Sequence, residues 1–297
     1  MSFKTFVRKL AKLFLIVLAL IATQRFCRKQ TDSFALYKIR SELTYNPKWE
    51  TSPLTEKEMK DLSTVLNQPF FYLGKGAQCY VFVSQDNQHV IKFFRLYHLL
   101  PPFWTQLKLP PFLKPLADSK IAQKEQELDR DFMSYKIAFE EMREQTGVLY
   151  VHLNKTKTLH QNIEIIDRLN IKHRLNLDEM EFLVQKRADL VYPALEQMIE
   201  KEGYEAAGIA LCSLIDLLVL RCQKGIRDKD PDLNTNFGFI GHTPLQIDVG
   251  RYRKPDDESL GTLERDEIIR ITDNLNQWLR AKYPELSDHL EHKIATL

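Results

Sequence analysis

Metal-binding cysteine pairs are missing from this sequence of 297 residues. None of its cysteines stands in a C-x-x-C or similar spacing, which argues against the common zinc sites. The four are Cys27, Cys79, Cys212 and Cys222. The last two fall in a segment predicted to be helical, where cysteine ordinarily serves as a small apolar residue. This usage is typical of a protein from a reducing compartment.

Acidic residues are absent from positions 1–31, which carry seven lysines and arginines. The formal net charge of the whole chain is +2, and the remainder has 35 basic and 40 acidic residues, a net charge of −5. A body with this charge balance is not expected to bind nucleic acid. The basic end is therefore expected to have a separate purpose.

The uncharged stretch inside this basic end is short for a membrane span. Residues 13–24 amount to about a dozen, against the roughly 20 that a spanning helix needs. Leu20-Ile21-Ala22 lacks a small residue at the minus-three position, and no lipobox precedes Cys27, so cleavage as a signal peptide is not expected. We expect residues 1–30 to be an uncleaved anchor on anionic lipid, with the body facing the cytoplasm. The alternatives are a buried helix of the fold and an exported, secreted effector.

What the sequence does contain is a glycine hairpin followed by a strand with a single lysine. The segments ending at Leu73, at 80–83 and at 89–94 are rich in aromatic and β-branched residues, which favour strands. Gly74 and Gly76 fall at the hairpin tip, where glycine adopts positive φ and lets backbone N–H groups approach an anion. Lys92 points to the face opposite its apolar neighbours. A lysine in so apolar a strand requires an anionic partner.

An acidic cluster follows roughly 150 residues later. It is predicted to form a helix end, a polar loop, a strand, a turn and a second strand that ends at Asp248-Val249-Gly250. The polar side chains of the loop include Asp228, Asp230, Asn234 and Asn236. Loops favour aspartate and asparagine for their own turns, so composition alone does not assign these residues a function.

Together these segments resemble the protein-kinase-like superfamily, in the form of atypical bacterial kinases with a compact C-terminal lobe. In that family a glycine-rich loop covers the nucleotide phosphates, and a lysine of the third strand pairs with them and with a helix glutamate. The resemblance implies that Gly74, Gly76 and Lys92 bind ATP. Asp248-Val249-Gly250 is similar to the family's Asp-x-Gly, which holds Mg²⁺.

The resemblance also implies roles for the loop residues. Arg227-Asp228 is similar to the end of the family's His-Arg-Asp, which makes Asp228 the catalytic base. The loop from Asp228 to Asn236 is about three residues longer than in the family, so Asp230 is an alternative base. Asn236 would hold the metal together with Asp248, and Asn234 is its alternative.

A helix is predicted over residues 120–146, because apolar residues recur there at alternating steps of three and four. Glu125 occupies the position that this apolar stripe leaves between Ile121 and Leu128. A carboxylate on a core-facing stripe needs a partner, so we expect Glu125 to pair with Lys92. Asp129, one turn on, is the second choice. If the helix frays near residue 120, Glu125 is solvated instead.

Further elements are predicted from local patterns. These are an irregular lead-in at 31–54, helices at 55–66, 206–223 and 265–282, and strands at 147–153, 162–169 and 181–186. The proline-rich, apolar residues 99–116, called the insert below, cannot form a continuous helix. The insert either packs on the small lobe or dips into a membrane surface, for which Phe103 and Trp104 are suited.

Only 47 residues follow Gly250, too few for the Ala-Pro-Glu activation segment and further helices of a eukaryotic-type kinase. The resemblance therefore implies an α+β, two-lobed fold, with an antiparallel sheet in the small lobe and a mainly helical, compact large lobe. The predicted divisions are an anchor at 1–30, a lead-in and helix at 31–65, a small lobe at 66–187 and a large lobe at 188–297.

The implied function is transfer of the γ-phosphate of ATP, with Mg²⁺, to an unknown acceptor. That acceptor is a protein or a membrane-associated sugar or lipid, and the partners are ATP, the acceptor and the membrane surface. The alternative is a catalytically impaired pseudokinase that acts as a membrane-associated nucleotide-binding or scaffold protein. The histidine missing before Arg227 and the long loop after Asp228 favour this alternative.

Overall fold

The structure is a computed structural model that describes residues 3–40, 42–254 and 264–297. Within these residues the chain is a mixed α/β protein with eight α-helices and a curled mixed sheet. The helices are α1 (Phe3–Gln30), α2 (Glu56–Leu66), α3 (Lys114–Glu141), α4 (Arg143–Thr146), α5 (Val191–Glu202), α6 (Tyr204–Gln223), α7 (Glu264–Lys282) and α8 (Pro284–Ala295). The strands are β1 (Phe70–Lys75), β2 (Cys79–Ser84), β3 (His89–Phe94), β4 (Val148–His152), β5 (Asn162–Ile166), β6 (Lys172–Asn176), β7 (Phe182–Lys186), β8 (Asp189–Leu190), β9 (Arg227–Asp228), β10 (Phe237–Ile240), β11 (Thr243–Gln246) and β12 (Tyr252–Arg253).

Seven strands form the main sheet, in the order β4-β7-β3-β2-β1-β5-β6. Its neighbouring strands are antiparallel except β1 and β5, which run parallel. The three strands predicted around the glycine hairpin are confirmed as β1, β2 and β3. A bulge between Tyr72 and Gly74 shifts the register of the β1–β2 hairpin, which bends its tip away from the plane of the sheet.

Side chains of the central strands alternate between two environments. Tyr80, Phe82, Ile91 and Phe93 are fully buried in one core with α2 and the lead-in. The intervening residues, Val81 and Lys92 among them, face a cavity on the other side of the sheet. This alternation follows from the two-residue period of a strand and sets the lysine on the cavity face.

Local sequence signals located most helices. Thr55 and Glu58 form the capping box that begins α2, and the helices expected at 206–223 and 265–282 are confirmed as α6 and α7. The helix expected at 120–146 begins earlier, at Lys114 with Pro115 in its first turn, and breaks at Met142 into α3 and α4. The strand β6 and the helices α5 and α8 were not predicted.

The C-terminal part of the chain has a separate helical core. Side chains of α5, α6, α7 and α8 pack with β10 into one cluster that includes Leu195, Leu214, Leu218, Leu275 and Leu290. A further cluster lies between the main sheet and α3, around Phe94, Phe132 and Tyr135. Segments 226–228 and 249–253 cross between them, since β9 and β12 pair with each other next to α3.

Helix α1 is longer and more exposed than the apolar run suggested. Its segment Lys9–Gln30 has 22 residues and a mean hydropathy of 1.8, and none of its apolar window is buried. This one helix of the described chain is apolar and long enough to cross a membrane, and a signal sequence has the same properties. The alternative of a buried helix of the fold is therefore wrong.

Candidate functional site

A cavity of about 560 Å³ lies beside the cavity face of β1, β2 and β3. Gly74, Gly76 and Lys92 line one side of it, and Asp248 with Thr235 lines the other. The strand end of β7, residues 186–190 and the start of α5 close the third side. The structure therefore brings together four of the residues that the sequence singled out, from segments more than 150 positions apart.

The glycines of the hairpin are not required by the backbone or by packing. Neither Gly74 nor Gly76 has positive φ, so the predicted left-handed conformation is wrong. A Cβ added at either position would meet nothing within 4 Å. Space is therefore open on the cavity side of both residues, as close approach of a ligand to the backbone requires.

Lys92 is held at the back of the cavity by the segment before Asp248. Its Nζ donates to the carbonyl oxygen of Ile247 at 2.6 Å. Burial lowers the pKa of Lys92, and the negative charge of Asp248 opposes that shift. The ammonium keeps two further donors, which suit an anionic ligand next to Asp248.

Asp248 is exposed at the cavity edge, unlike most of its neighbours. Its Oδ1 accepts a backbone hydrogen bond from Gly250 at 3.2 Å, and its own backbone N–H donates to the carbonyl of Asn236 at 3.2 Å. The turn that follows is fixed by contact with the hairpin. A Cβ on Gly250 would lie 1.6 Å from Oε1 of Gln78, so any other residue there requires Gln78 to move.

The predicted ion pair between Lys92 and Glu125 is wrong. Glu125 is exposed and lines a separate groove with Trp49 and Asp129. The second choice, Asp129, accepts a hydrogen bond from Nε1 of Trp49 at 2.6 Å. The reason is that the apolar stripe of α3 packs into the core under the main sheet from Leu128 onward, while Ile121, before Glu125, is only partly buried.

Other residues of α3 contact the Asp-Val-Gly segment instead. Ser134 Oγ donates to the carbonyl of Val249 and accepts from the backbone N–H of Tyr252, both at 2.5 Å. Tyr135 Oη donates to Gln78 Oε1 at 2.8 Å. Gln78 Nε2 in turn donates to Asp131 at 2.9 Å and to the carbonyl of Gly250 at 3.1 Å. The hairpin tip, α3 and Gly250 therefore form one polar junction.

Cys79 belongs to this junction as a packed residue. It is buried, and its Sγ lies 3.5 Å from Oη of Tyr135. Burial raises the pKa of the Cys79 thiol to about 12, so it stays protonated and unreactive at neutral pH.

Asp228 lies behind the cavity, outside its lining. Its Oδ2 accepts a short hydrogen bond from Gln246 Nε2 and lies 3.7 Å from Nη1 of Arg221, while Oδ1 accepts from the backbone N–H of Asp230 at 3.0 Å. Arg221 is fully buried and also donates to Gln246 at 3.0 Å. Burial raises the pKa of Asp228, and the Arg221 charge opposes that shift. Each oxygen of this carboxylate therefore already has an internal donor.

The remaining loop candidates have different surroundings. Asp230 is exposed, and its carbonyl accepts from Asn236 Nδ2 at 2.5 Å. Asn236 is buried, while Asn234 is exposed. The carbonyl of Asn236 receives the backbone N–H groups of Ile247 and Asp248, so Asn236 is the asparagine next to Asp248. None of these three side chains lines the cavity.

The residues present fit a nucleotide with one metal ion. Gln185 lines the cavity wall and is fully buried, and its Oε1 has no hydrogen-bond partner, which leaves an acceptor for a polar ligand. In the described ranges, no three His, Cys, Asp or Glu side chains could hold a metal together. Mg²⁺ is commonly bound through one or two carboxylates and the phosphates themselves, a role that Asp248 could fill.

Several residues of the site could not be found from the sequence. Gln78, Arg221 and Gln246 carried no motif, and their roles depend on partners 7 to 172 positions away. Thr235 lies one position before Asn236 and is the loop residue that reaches the cavity. A polar residue flanked by two asparagines was the only local signal for it.

Comparisons with known proteins give no family. No family model matches the sequence, and no curated protein matches it. Solved structures similar to the chain include the bifunctional kinase-methyltransferase WbdD at medium resolution, 15% identical, with a TM-score of 0.34 over 74% of this chain and 43% of that one. A 2.2 Å structure of WbdD gives 16% identity and a TM-score of 0.34, over 74% and 44%. The chain thus spans less than half the length of WbdD.

Proposed function

We propose that this protein is a membrane-tethered phosphotransferase that binds ATP and Mg²⁺ in the cavity between the β1–β2 hairpin and Asp248. The observation that carries the proposal is the arrangement of Gly74, Gly76, Lys92 and Asp248 around one cavity of about 560 Å³. Cavities of this size hold small molecules and cofactors. Two glycines with open space, a lysine and an exposed carboxylate supply what a metal-bound polyphosphate needs.

Each residue has a proposed role. The backbone of Gly74 and Gly76 covers the phosphates, and the ammonium of Lys92 contacts their oxygens. Asp248, with Asn236 beside it, holds Mg²⁺, which neutralises charge on the phosphates when bound. The acceptor hydroxyl would be deprotonated by an aspartate of the loop between Asp228 and Asn236. Catalysis in this scheme is positioning and charge neutralisation.

The exposed Asp230 suits the base better than Asp228. The Asp228 oxygens accept from Gln246 and the Asp230 backbone beside Arg221, whereas Asp230 is exposed to solvent. On this assignment Asp230→Asn lowers the rate of transfer at saturating ATP without changing ATP affinity. If Asp230→Asn is fully active and a folded Asp228→Asn is not, the roles are the reverse.

The proposed setting is a membrane, with a two-lobed, kinase-like body on its cytoplasmic side. The main sheet with α3 would be the small lobe, and the helical core of α5 to α8 the large lobe, with the boundary near residue 187. Helix α1 supports the tether, because its apolar window is entirely exposed. The acceptor class is a protein, or a sugar or lipid at that membrane.

The direct test is phosphotransfer and ATPase activity of the full chain. Lys92→Met and Asp248→Asn should each lower activity by at least about 100-fold, which corresponds to about 2.7 kcal/mol of transition-state stabilisation. Matched controls are Lys172→Met and Asp273→Asn, exposed residues outside the cavity. Unchanged activity in folded Lys92→Met and Asp248→Asn proteins would refute the proposal.

A nucleotide-binding scaffold without transfer is the second candidate. Two observations favour it. Each oxygen of Asp228 already has an internal donor, and Glu125 does not pair with Lys92. A Mg²⁺-dependent rise in melting temperature with ATP, without turnover, would identify this alternative. No effect of nucleotide on stability or activity would remove both nucleotide-dependent functions.

A further inference from the structure

Outside α1, exposed large apolar side chains concentrate in the insert, which joins β3 to α3. Phe103 and Phe112 are 75% and 78% exposed, and Trp104, Leu107 and Leu116 are exposed as well. Isolated exposed apolar residues are ordinary, whereas a group of this kind marks an interaction surface. The insert is held on the body of the protein, because the turn Phe103–Gln106 packs on α3 and Thr105 is buried.

The charged side chains within the insert have one sign. No acidic residue occurs between Asp86 and Asp118, while Lys108 and Lys114 are exposed among the apolar side chains. On α3, Lys120 follows the exposed Asp118, and Lys124 pairs with Glu127 at 2.6 Å. An apolar surface with basic residues at its edge is complementary to anionic lipid, whereas protein interfaces are depleted in lysine.

The insert begins next to the end of α1. Nζ of Lys38 lies 5.1 Å from the centre of the Tyr97 ring, and Arg95 contacts His98 at 2.7 Å. Lys38 Nζ also donates to the carbonyl of Ser33, whose backbone N–H donates to the carbonyl of Arg28 at 2.8 Å. These contacts connect the end of α1 to the residues before the insert.

A second loop lies at the same end of the main sheet. Arg168, in the turn between β5 and β6, donates to the carbonyl of Lys29 at 3.3 Å. Leu169 and Ile171 in that turn are exposed. Because β5 runs parallel to β1, its C-terminal end lies toward the hairpin tip. The end of α1, the β5–β6 turn and the start of the insert therefore share one end of the sheet.

We propose that the insert is a second membrane-contacting element, which lies in the headgroup region of an anionic bilayer beside α1. Phe103, Trp104 and Phe112 enter the interface, where aromatic side chains are favoured, and the lysines contact lipid phosphates. Between Leu107 and Leu113 the backbone is neither helix nor strand, which fits interfacial rather than hydrocarbon depth. The inference rests on the membrane tether of the proposed function and orients the β1–β2 hairpin toward the lipid.

Tryptophan fluorescence tests this contact without interference from α1, which contains no tryptophan. The full chain is reconstituted in vesicles of anionic lipid with brominated acyl chains, which quench nearby tryptophans. Trp49 is buried and Trp278 lies against Tyr192 and Tyr283 in the helical core, so neither is expected to be quenched. In the unchanged protein, the brominated lipid is expected to quench only the emission of Trp104. The emission lost should therefore equal the difference between the unchanged protein and Trp104→Phe in unbrominated vesicles. Trp104→Phe should show no quenching.

Two further samples make the outcome decisive. Lys108→Glu with Lys114→Glu should reduce quenching, and so should vesicles of neutral phosphatidylcholine. Flotation of the same samples reports the tether separately. Protein that floats with unquenched Trp104 would overturn the inference, keep the tether and leave the insert to a protein partner. Protein that does not float would overturn both the membrane contact of the insert and the tether by α1, whatever its phosphotransfer activity.

Discussion

Asp228 and Asp248 stand at either side of the β10–β11 hairpin and have opposite surroundings. Asp228 is 6% exposed and accepts from Gln246 and the Asp230 backbone beside the buried Arg221. Asp248 is exposed at the cavity, next to Lys92, and accepts from the backbone of Gly250. A buried carboxylate with an internal donor on each oxygen holds a loop in place, while one that faces a cavity remains available to a ligand.

Gly250 and Gly74 differ in the same way, one facing the protein interior and the other facing open space. A Cβ at Gly250 would collide with Gln78, whereas a Cβ at Gly74 would meet nothing within 4 Å. Gly250 is therefore explained by packing inside the protein. Gly74 is explained by neither packing nor φ, and on the proposed function a ligand explains it.

The largest expected effect is on stability, at the buried Asp228. Arg221→Met removes the charge that compensates Asp228 and should lower the free energy of unfolding by about 3–5 kcal/mol. Urea denaturation of the full chain in detergent measures it. The control, Arg174→Met, changes an exposed arginine of β6 and should stay within about 0.5 kcal/mol. A loss below about 1 kcal/mol for Arg221→Met would show that Asp228 does not depend on Arg221.

Gly250→Ala comes next. The added methyl group must displace Gln78, which also makes hydrogen bonds with Asp131 and Tyr135. The free energy of unfolding should therefore fall by about 1–3 kcal/mol. The same denaturation experiment measures it. A stability equal to that of the unchanged protein would mean that the junction between the hairpin tip and α3 is not fixed.

Gly74→Ala tests the glycine that packing does not explain. Its free energy of unfolding should change by no more than about 0.5 kcal/mol, because nothing in the protein occupies the space of the new methyl group. Its affinity for ATP should fall by about tenfold, or 1.4 kcal/mol, because the methyl group would meet the phosphates. Calorimetric titration checks this, and an unchanged affinity would place the phosphates elsewhere.

The smallest expected effect is on pH dependence. Burial raises the pKa of Asp228 above 3.8, so the folded protein binds this proton more tightly than the unfolded chain does. The resulting stability is fully present below pH 3.8 and is lost as pH rises through the raised pKa. Asp228→Asn lacks that loss, so the melting temperature of the unchanged protein should fall relative to that of Asp228→Asn as the pH rises above 3.8. A constant difference would contradict the raised pKa.

The strands of the glycine hairpin and the capped helix α2 could be predicted because their signals are local. Aromatic and β-branched alternation and the Thr55–Glu58 box act within a few residues. The order of lysine and acidic cluster also located Lys92 and Asp248, which do share a cavity.

Glu125 shows where such local signals end. Periodicity identifies the apolar face of a helix but not the point at which its neighbour stops covering that face. The stripe of α3 packs against the main sheet from Leu128 onward, so Glu125, correctly assigned to the stripe, is exposed. The partners of Asp228 are a second case, because Arg221 and Gln246 meet it only once α6 and β11 have packed.

Magnesium-dependent binding of ATP, measured by titration calorimetry on the full chain and on Asp248→Asn, tests the central claim most directly. We expect the unchanged protein to bind ATP with Mg²⁺, and expect chelation of Mg²⁺ or Asp248→Asn to weaken binding by at least about tenfold. Equal affinity in all three samples, or no binding in any of them, would contradict the account of Lys92 and Asp248 as the two sides of a nucleotide site.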